Sequence, residues 1–293
     1  MPVSIGIPFF NPGPAFEKAV RSVFAQTMSD WELILIDDGS HDGSVELARA
    51  ISDPRVHVVS DGHNKGLCAR LNQIAALAKF DLLCRMDADD LMHPERLQKQ
   101  VARFDLDPAI DLMGTAAVAI DDRDFPMCLL GKPIDESQVE REALGRTLFV
   151  HPSVLGKREW FRANPYDPAY PRSEDHELWL RAARWSRYAF LPEPLVFYRQ
   201  PLSFNLRAYV ATCRTDRKIF RRYGPNTVGL PKTAALLTRS FAFEAIHRGA
   251  TAAGLASPLM RMRGSALPDA TLMDHRQAIT RAVNAHVPGW SAQ

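Results

Sequence analysis

The chain has 293 residues, 46% of them hydrophobic and 24% charged, with a formal net charge of +2. That balance suits an ordinary globular protein with a sizeable core. Its four cysteines (Cys68, Cys84, Cys128 and Cys213) are scattered without a CxxC pair, which argues against a zinc ribbon or a disulfide framework and fits a reducing, cytoplasmic compartment.

No apolar run is long enough to span a bilayer. The opening MPVSIGIPFF lacks a basic n-region and reads as a strand, so no signal peptide is expected. The charge is unevenly spread. Residues 201–293 carry thirteen Lys or Arg against four acids, whereas residues 1–200 carry twenty-three against thirty. The basic section suits an anionic membrane face, an acidic partner or a plain solvated helical surface, and charge alone does not choose among them.

In chain order, Val3–Phe9 is an apolar strand stopped by Asn11-Pro12-Gly13-Pro14. Ala15–Gln26 has helical spacing, with Phe16, Ala19, Val20 and Val23 on one face. Glu32–Ile36 is a second strand, Ser44–Ile51 a helix, Val56–Ser60 a third strand, Gly66–Ala78 a helix and Asp81–Met86 a fourth strand. Pro94 opens a helix that runs to about Leu106. Continuous apolar strands alternating with helices predict a mostly parallel, Rossmann-like α/β sheet covered on both faces. Further on, Ile110–Ile120 reads as extended, Glu136–Leu148 as a helix, Ser153–Gly156 as a strand, Glu174–Trp185 as an amphipathic helix and Leu195–Tyr198 as a last strand. Helical patterns follow at Asn205–Tyr223, Lys232–Gly254 and Ala270–His286. The expected division is therefore a domain over 1–204, with halves of about 1–115 and 116–204, and a helical C-terminal extension over 205–293.

Ligands of open α/β sheets bind outside the carboxyl ends of the strands. Three strands end there in polar groups: Pro8-Phe9-Phe10-Asn11, Asp37-Asp38-Gly39-Ser40 and Asp87-Ala88-Asp89-Asp90. If the chain stays extended past the fourth strand, Asp87 and Asp89 point to one side and suit a hard divalent cation, Mg²⁺ or Mn²⁺, with substrate phosphates. Taken singly, Asp-Asp-Gly-Ser is an ordinary turn, and Asp90 reads as a cap on nearby backbone N–H groups. Arg70, one turn inside the helix opened by Gly66, is placed to meet a phosphate.

These segments, in order, resemble the inverting glycosyltransferases of family 2, which have the GT-A fold. The resemblance rests on VSIGIPFFNPG, SVFAQTMSDWELILIDDGSHDGS, NKGLCARLN and CRMDADDLMHPERL, then on HPSVLGKREWF, SEDHELWLRAA and PEPLVFYRQ, and covers about residues 3–200. It implies transfer of a sugar from a UDP- or dTDP-linked donor to a hydroxyl acceptor, a growing surface glycan or a lipid-linked oligosaccharide. It also implies that Pro8, Phe10, Asp38, Arg70 and Asp87 bind the nucleotide and that Asp89 holds Mn²⁺ or Mg²⁺. Asp175 would be the general base, and Glu174, His151 and Trp179 would lie on the acceptor side; Trp179, at helical spacing, also reads as core. Phe10 stands where the family usually has Tyr. Gln200 and Pro201 follow Tyr198-Arg199 where some relatives supply a metal-binding His, so Asp89, waters and phosphate would carry the metal. The competing reading is an inactive nucleotide-sugar-binding scaffold of a glycan-assembly complex. No nucleic-acid partner is expected, and the implied location is the cytoplasm, at the inner face of the membrane if the basic section binds lipid.

Overall fold

The computed structural model describes residues 1–135, 137–200, 205–254 and 264–291. Its first half follows the expected alternation: β1 (Val3–Phe9), α1 (Ala15–Phe24), β2 (Trp31–Asp37), α2 (Ser44–Arg49), β3 (Val56–Val59), α3 (Leu67–Leu77), β4 (Leu82–Arg85), β5 (Leu91–Met92) and α4 (Arg96–Leu106). The second half holds β6 (Leu112–Ile120), β7 (Pro126–Leu130), α5 (Val139–Gly145), β8 (Leu155–Lys157), α6 (Arg158–Ala163), α7 (Glu174–Ala182) and β9 (Tyr188–Arg199). Then come α8 (Leu206–Val228), α9 (Leu230–Ala252), β10 (Ser265–Ala266) and α10 (Asp269–Val283). Of the sequence-derived elements, the start of the Glu136–Leu148 helix, at Glu136, lies outside the described residues.

One sheet runs in the order β10-β7-β6-β8-β4-β1-β2-β3, with β9 pairing both β6 and β5. Most of its paired positions are parallel, as expected, with antiparallel strands added. The strands β3, β2, β1 and β4 are parallel, as are β6 and β9. By contrast β8 runs antiparallel to both β4 and β6, and β7 returns antiparallel beside β6. For β7 the reason is connection length: a short turn joins it to β6, and only a crossover makes adjacent strands parallel.

Every residue of β1 and β2 is buried, as a strand covered on both faces requires. Helix α3 lies close on β1 because Gly6 has no side chain; a Cβ there would sit 2.2 Å from Cγ2 of Ile74. Two cores result. One contains Phe16, Val20 and Val23 of α1 with β1, β2 and α4. The other contains α3, Phe149, Trp160, Trp179, and Ile219 and Phe220 of α8.

The C-terminal part divides. Helices α8 and α9 form a hairpin against the second core, whereas α10 returns to the first half. Its Ala278 and Ile279 pack with Leu91, Val118 and Phe197. Beyond it, Val287 is fully buried in the first core and the Trp290 indole N–H donates to the Leu47 carbonyl at 2.9 Å. Among the described residues no helix is long and apolar enough to cross a membrane.

Candidate active site

The parallel strands β1, β2 and β4 end at one edge of the sheet, which sets Phe10, Asp38 and Asp87 along a common rim. Pro8 is buried inside β1, whereas Phe10, just past its end, is half exposed and free to stack on a planar ligand. Asp38 follows β2. Its carboxylate accepts from the backbone N–H of Lys65 at 2.7 Å and of Gly66 at 3.0 Å, and from Arg70 Nε at 2.8 Å.

Arg70 does not project into the crevice. It is fully buried, and its guanidinium is held by Asp38, Asp61, Gln73 and the His63 carbonyl. Asp61, 33% exposed at its side chain, closes over it from the surface side. The same pairing holds the Asp61 carboxyl far below the usual carboxylate range, with Lys65 adding to the effect. Arg70 therefore braces the 61–66 loop at the rim, and a phosphate would meet that loop rather than the guanidinium.

The chain does not stay extended after β4; residues 88–89 form a turn. The carboxylates converge nonetheless. One oxygen from each of Asp87, Asp89 and Asp90 lies within 4.8 Å of the others. Arg85 is buried and donates to Asp87 at 2.9 Å, which fixes that carboxylate. Asp90 bonds no local loop. One of its oxygens accepts from the backbone N–H of Arg199 on β9 at 2.7 Å, and the other is buried without a partner. Burial and the charges of Asp87 and Asp89 push the Asp90 carboxyl well above its usual range. Crowding by protein and by Asp87 raises Asp89 as well, though Asp89 stands at the exposed rim.

Opposite this cluster stands the start of α7. Glu174 and Asp175 occupy its first turn, where the helix dipole favours negative charge. Burial, followed by the neighbouring Asp175 charge, pushes Glu174 up to about 7. Burial also raises Asp175. His151 lies beside them, its Nδ1 4.0 Å from a Glu174 oxygen and its Nε2 2.9 Å from the Tyr166 hydroxyl. Burial, with Arg85 nearby, lowers this imidazole well below its ordinary value, so it is neutral at pH 7. Trp179, expected on the acceptor side, presents no surface to a ligand. It is fully buried, edge-on to His151 and stacked on Trp160, and so backs the wall of the site.

A cavity of about 660 Å³ joins the two acidic groups: Arg85, Asp87, His151, Glu174, Asp175 and Tyr198 all line it. Asp38 lies outside that lining, with its carboxylate turned to the 65–66 backbone. Sequence reasoning did not place Arg85, Tyr198 or Asp90 in the site. Arg85 was the readable one, as a cation two residues from a carboxylate at a strand end.

A parallel core with an acidic rim at the strand ends, continued by a second half that adds antiparallel strands, is the GT-A architecture. The solved structure of TarS residues 1–349 from S. aureus in complex with UDP superposes with a TM-score of 0.59 at 14% identity, covering 82% of this chain and 71% of that one. The mannosyltransferase PcManGT from Pyrobaculum calidifontis, in complex with GDP-Man and Mn²⁺, gives 0.59 at 18% identity over 96% and 85%. In sequence, residues 4–163, more than half the chain, match Glycosyl transferase family 2, and the chain belongs to that family. The putative glycosyltransferase EpsE of Bacillus subtilis (strain 168) is 28% identical over 227 residues, 75% of each chain. The amylovoran biosynthesis glycosyltransferase AmsB of Erwinia amylovora is 27% identical over 215 residues, 69% of this chain and 71% of that one.

Proposed function

We propose that the protein transfers a sugar, with inversion at the anomeric carbon, from a nucleotide-sugar donor to a hydroxyl of a growing surface glycan. The observation that carries this reading is the cavity shared by Asp87 on the donor side and by Glu174 and Asp175 on the acceptor side. The solved relatives support the donor class, since their complexes hold UDP or GDP-Man. The biosynthetic relatives, AmsB among them, support the glycan.

Asp175 is the base in this reading. An acceptor alcohol is a weak nucleophile, and a carboxylate positioned to take its proton contributes ~10²–10⁴-fold. Glu174, pushed up to about 7, stands next to it and near neutrality passes between its protonated and ionised forms beside the base. Neutral His151 offers a hydrogen bond without adding a like or opposite charge. Phe10 and the 61–66 loop braced by Arg70 form the nucleoside end, and Arg85 holds Asp87 in place.

The acidic cluster fits a divalent cation: three carboxylate oxygens converge, and one oxygen of buried Asp90 lacks any partner. Asp89, with Asp87 or Asp90, would hold Mn²⁺ or Mg²⁺, which when bound would neutralise charge growing on the departing diphosphate. Asp175→Asn tests the base. Transfer or donor hydrolysis is expected to fall ~10²–10⁴-fold while nucleotide binding persists. Transfer by this variant at the wild-type rate would refute the assignment. Tight nucleotide binding by the wild type without turnover on any donor would instead favour the scaffold reading.

A further inference from the structure

We infer that the α8–α9 hairpin is a docking surface for an anionic lipid bilayer. Helix α9 is long but buries only Thr233 among its described side chains. Leu230, Phe241 and Ile246 are 72%, 51% and 54% exposed. Between them Ala235, Thr238, Ala242, Ala245 and Gly249 recur at alternating spacings of three and four, so one uncharged face runs the length of the helix. Single exposed apolar residues are unremarkable in a globular protein; Phe241 and Ile246 at the margins of a continuous uncharged face mark an interaction surface.

The neighbouring helix supplies the charge. Arg207, Arg214 and Arg221 recur every seven residues along α8, so they share one stripe, and all are exposed. Among the described residues none of the three has an ion-pair partner. Residues 205–254 contain nine Lys or Arg against two acids. Both acids are already engaged inside the protein: Asp216 accepts from Ser173, and Glu244 pairs with Arg217 and Arg248. An apolar helix face beside a row of free cations matches a surface of acyl chains under anionic headgroups. A second copy of the chain is a poorer fit, because two such hairpins would bring like charges together.

The inner edge of the same hairpin, at Leu236, Arg239 and Phe243, lines a cavity of about 240 Å³ that reaches Asp175. If the transfer reading holds, a bilayer-borne acceptor would arrive there. Vesicle binding itself does not depend on that reading, so the two fail separately.

The test is sedimentation of the full chain with phosphatidylglycerol-containing vesicles and with pure phosphatidylcholine vesicles, at low and high salt. The wild type is expected to sediment with the anionic vesicles alone and to be released by salt. Arg207→Glu with Arg214→Glu and Arg221→Glu should weaken partitioning at least roughly hundredfold. Phe241→Ser with Ile246→Ser should weaken it independently. Nucleotide-induced thermal stabilisation, unchanged in both variants, would show that they fold. Absence of sedimentation at low salt would overturn the inference. So would full retention by the Phe241/Ile246 variant, or a wild-type dimer that this variant dissociates without any vesicle binding.

Discussion

Glu174→Gln offers a direct test of the electrostatics at the start of α7. Glu174 is buried and pushed up to about 7 from an ordinary value of 4.5, chiefly by burial and then by Asp175. A carboxyl whose folded value exceeds its unfolded one prefers to be protonated in the fold. Ionising it therefore costs nothing below about pH 4.5, and the cost grows until it is complete above about pH 7. At about 1.4 kcal/mol per pH unit, the full penalty is roughly 3 kcal/mol. Gln cannot ionise, its amide oxygen can still accept from the Glu174 backbone N–H, and His151 Nδ1 at 4.0 Å is too far to bond. The variant should match the wild type near pH 4.5 and exceed it by roughly 3 kcal/mol at pH 8, about 5 °C in Tm for a chain of this size. Urea unfolding of both proteins at pH 5 and pH 8 measures this. A stability difference that is flat with pH, or a variant less stable at pH 8, would show that the raised value does not arise from burial beside Asp175.

Chelation should abolish most of the thermal stabilisation that a nucleoside diphosphate confers, and added Mn²⁺ should restore it; in Asp89→Asn the restoration should fail. Arg70→Met should destabilise the fold by about 3–5 kcal/mol in urea titrations, because it leaves buried Asp38 without its cation. Gly6→Ala should cost about 1–3 kcal/mol, since the new methyl collides with the branched Ile74 side chain and α3 must shift; an unchanged urea midpoint would show that α3 yields freely.

The parallel half was legible because each of its strands is a continuous apolar run closed by turn residues, a pattern that depends on local sequence alone. The second half was legible in part: Ile110–Ile120, Ser153–Gly156 and Glu174–Trp185 were read, and β7 was not. Of β9 only the end, Leu195–Tyr198, was read as strand, because Pro192 and Pro194 interrupt the pattern; the structure absorbs them as register shifts opposite Thr115–Ala117. Helix α8 was expected to stop at Tyr223, before Gly224-Pro225, yet it continues to Val228. Tertiary packing outweighs the proline there: Gly224 lets α9 approach until Thr233 would touch any added Cβ at 2.6 Å.

In the site, the clusters of acids were readable and their partners were not. Arg70 bonds Asp61, nine residues away, and Asp90 bonds a backbone group 109 residues away. Neither fact has a local signature. The mutual approach of Asp87, Asp89 and Asp90 survived the loss of the extended geometry expected for it, because three carboxylates within four residues remain close in a turn as well as in a strand.

The return of the chain end has its own consequence. With Val287 packed beside α1, Trp290 anchored to α2 and Arg21 bound to the Ala285 carbonyl at 2.7 Å, the closing stretch is a clasp on the first half. Cutting the polypeptide ahead of α10 would not liberate a trimmed enzyme; it would open the hydrophobic interior under the very strands whose tips carry the acids.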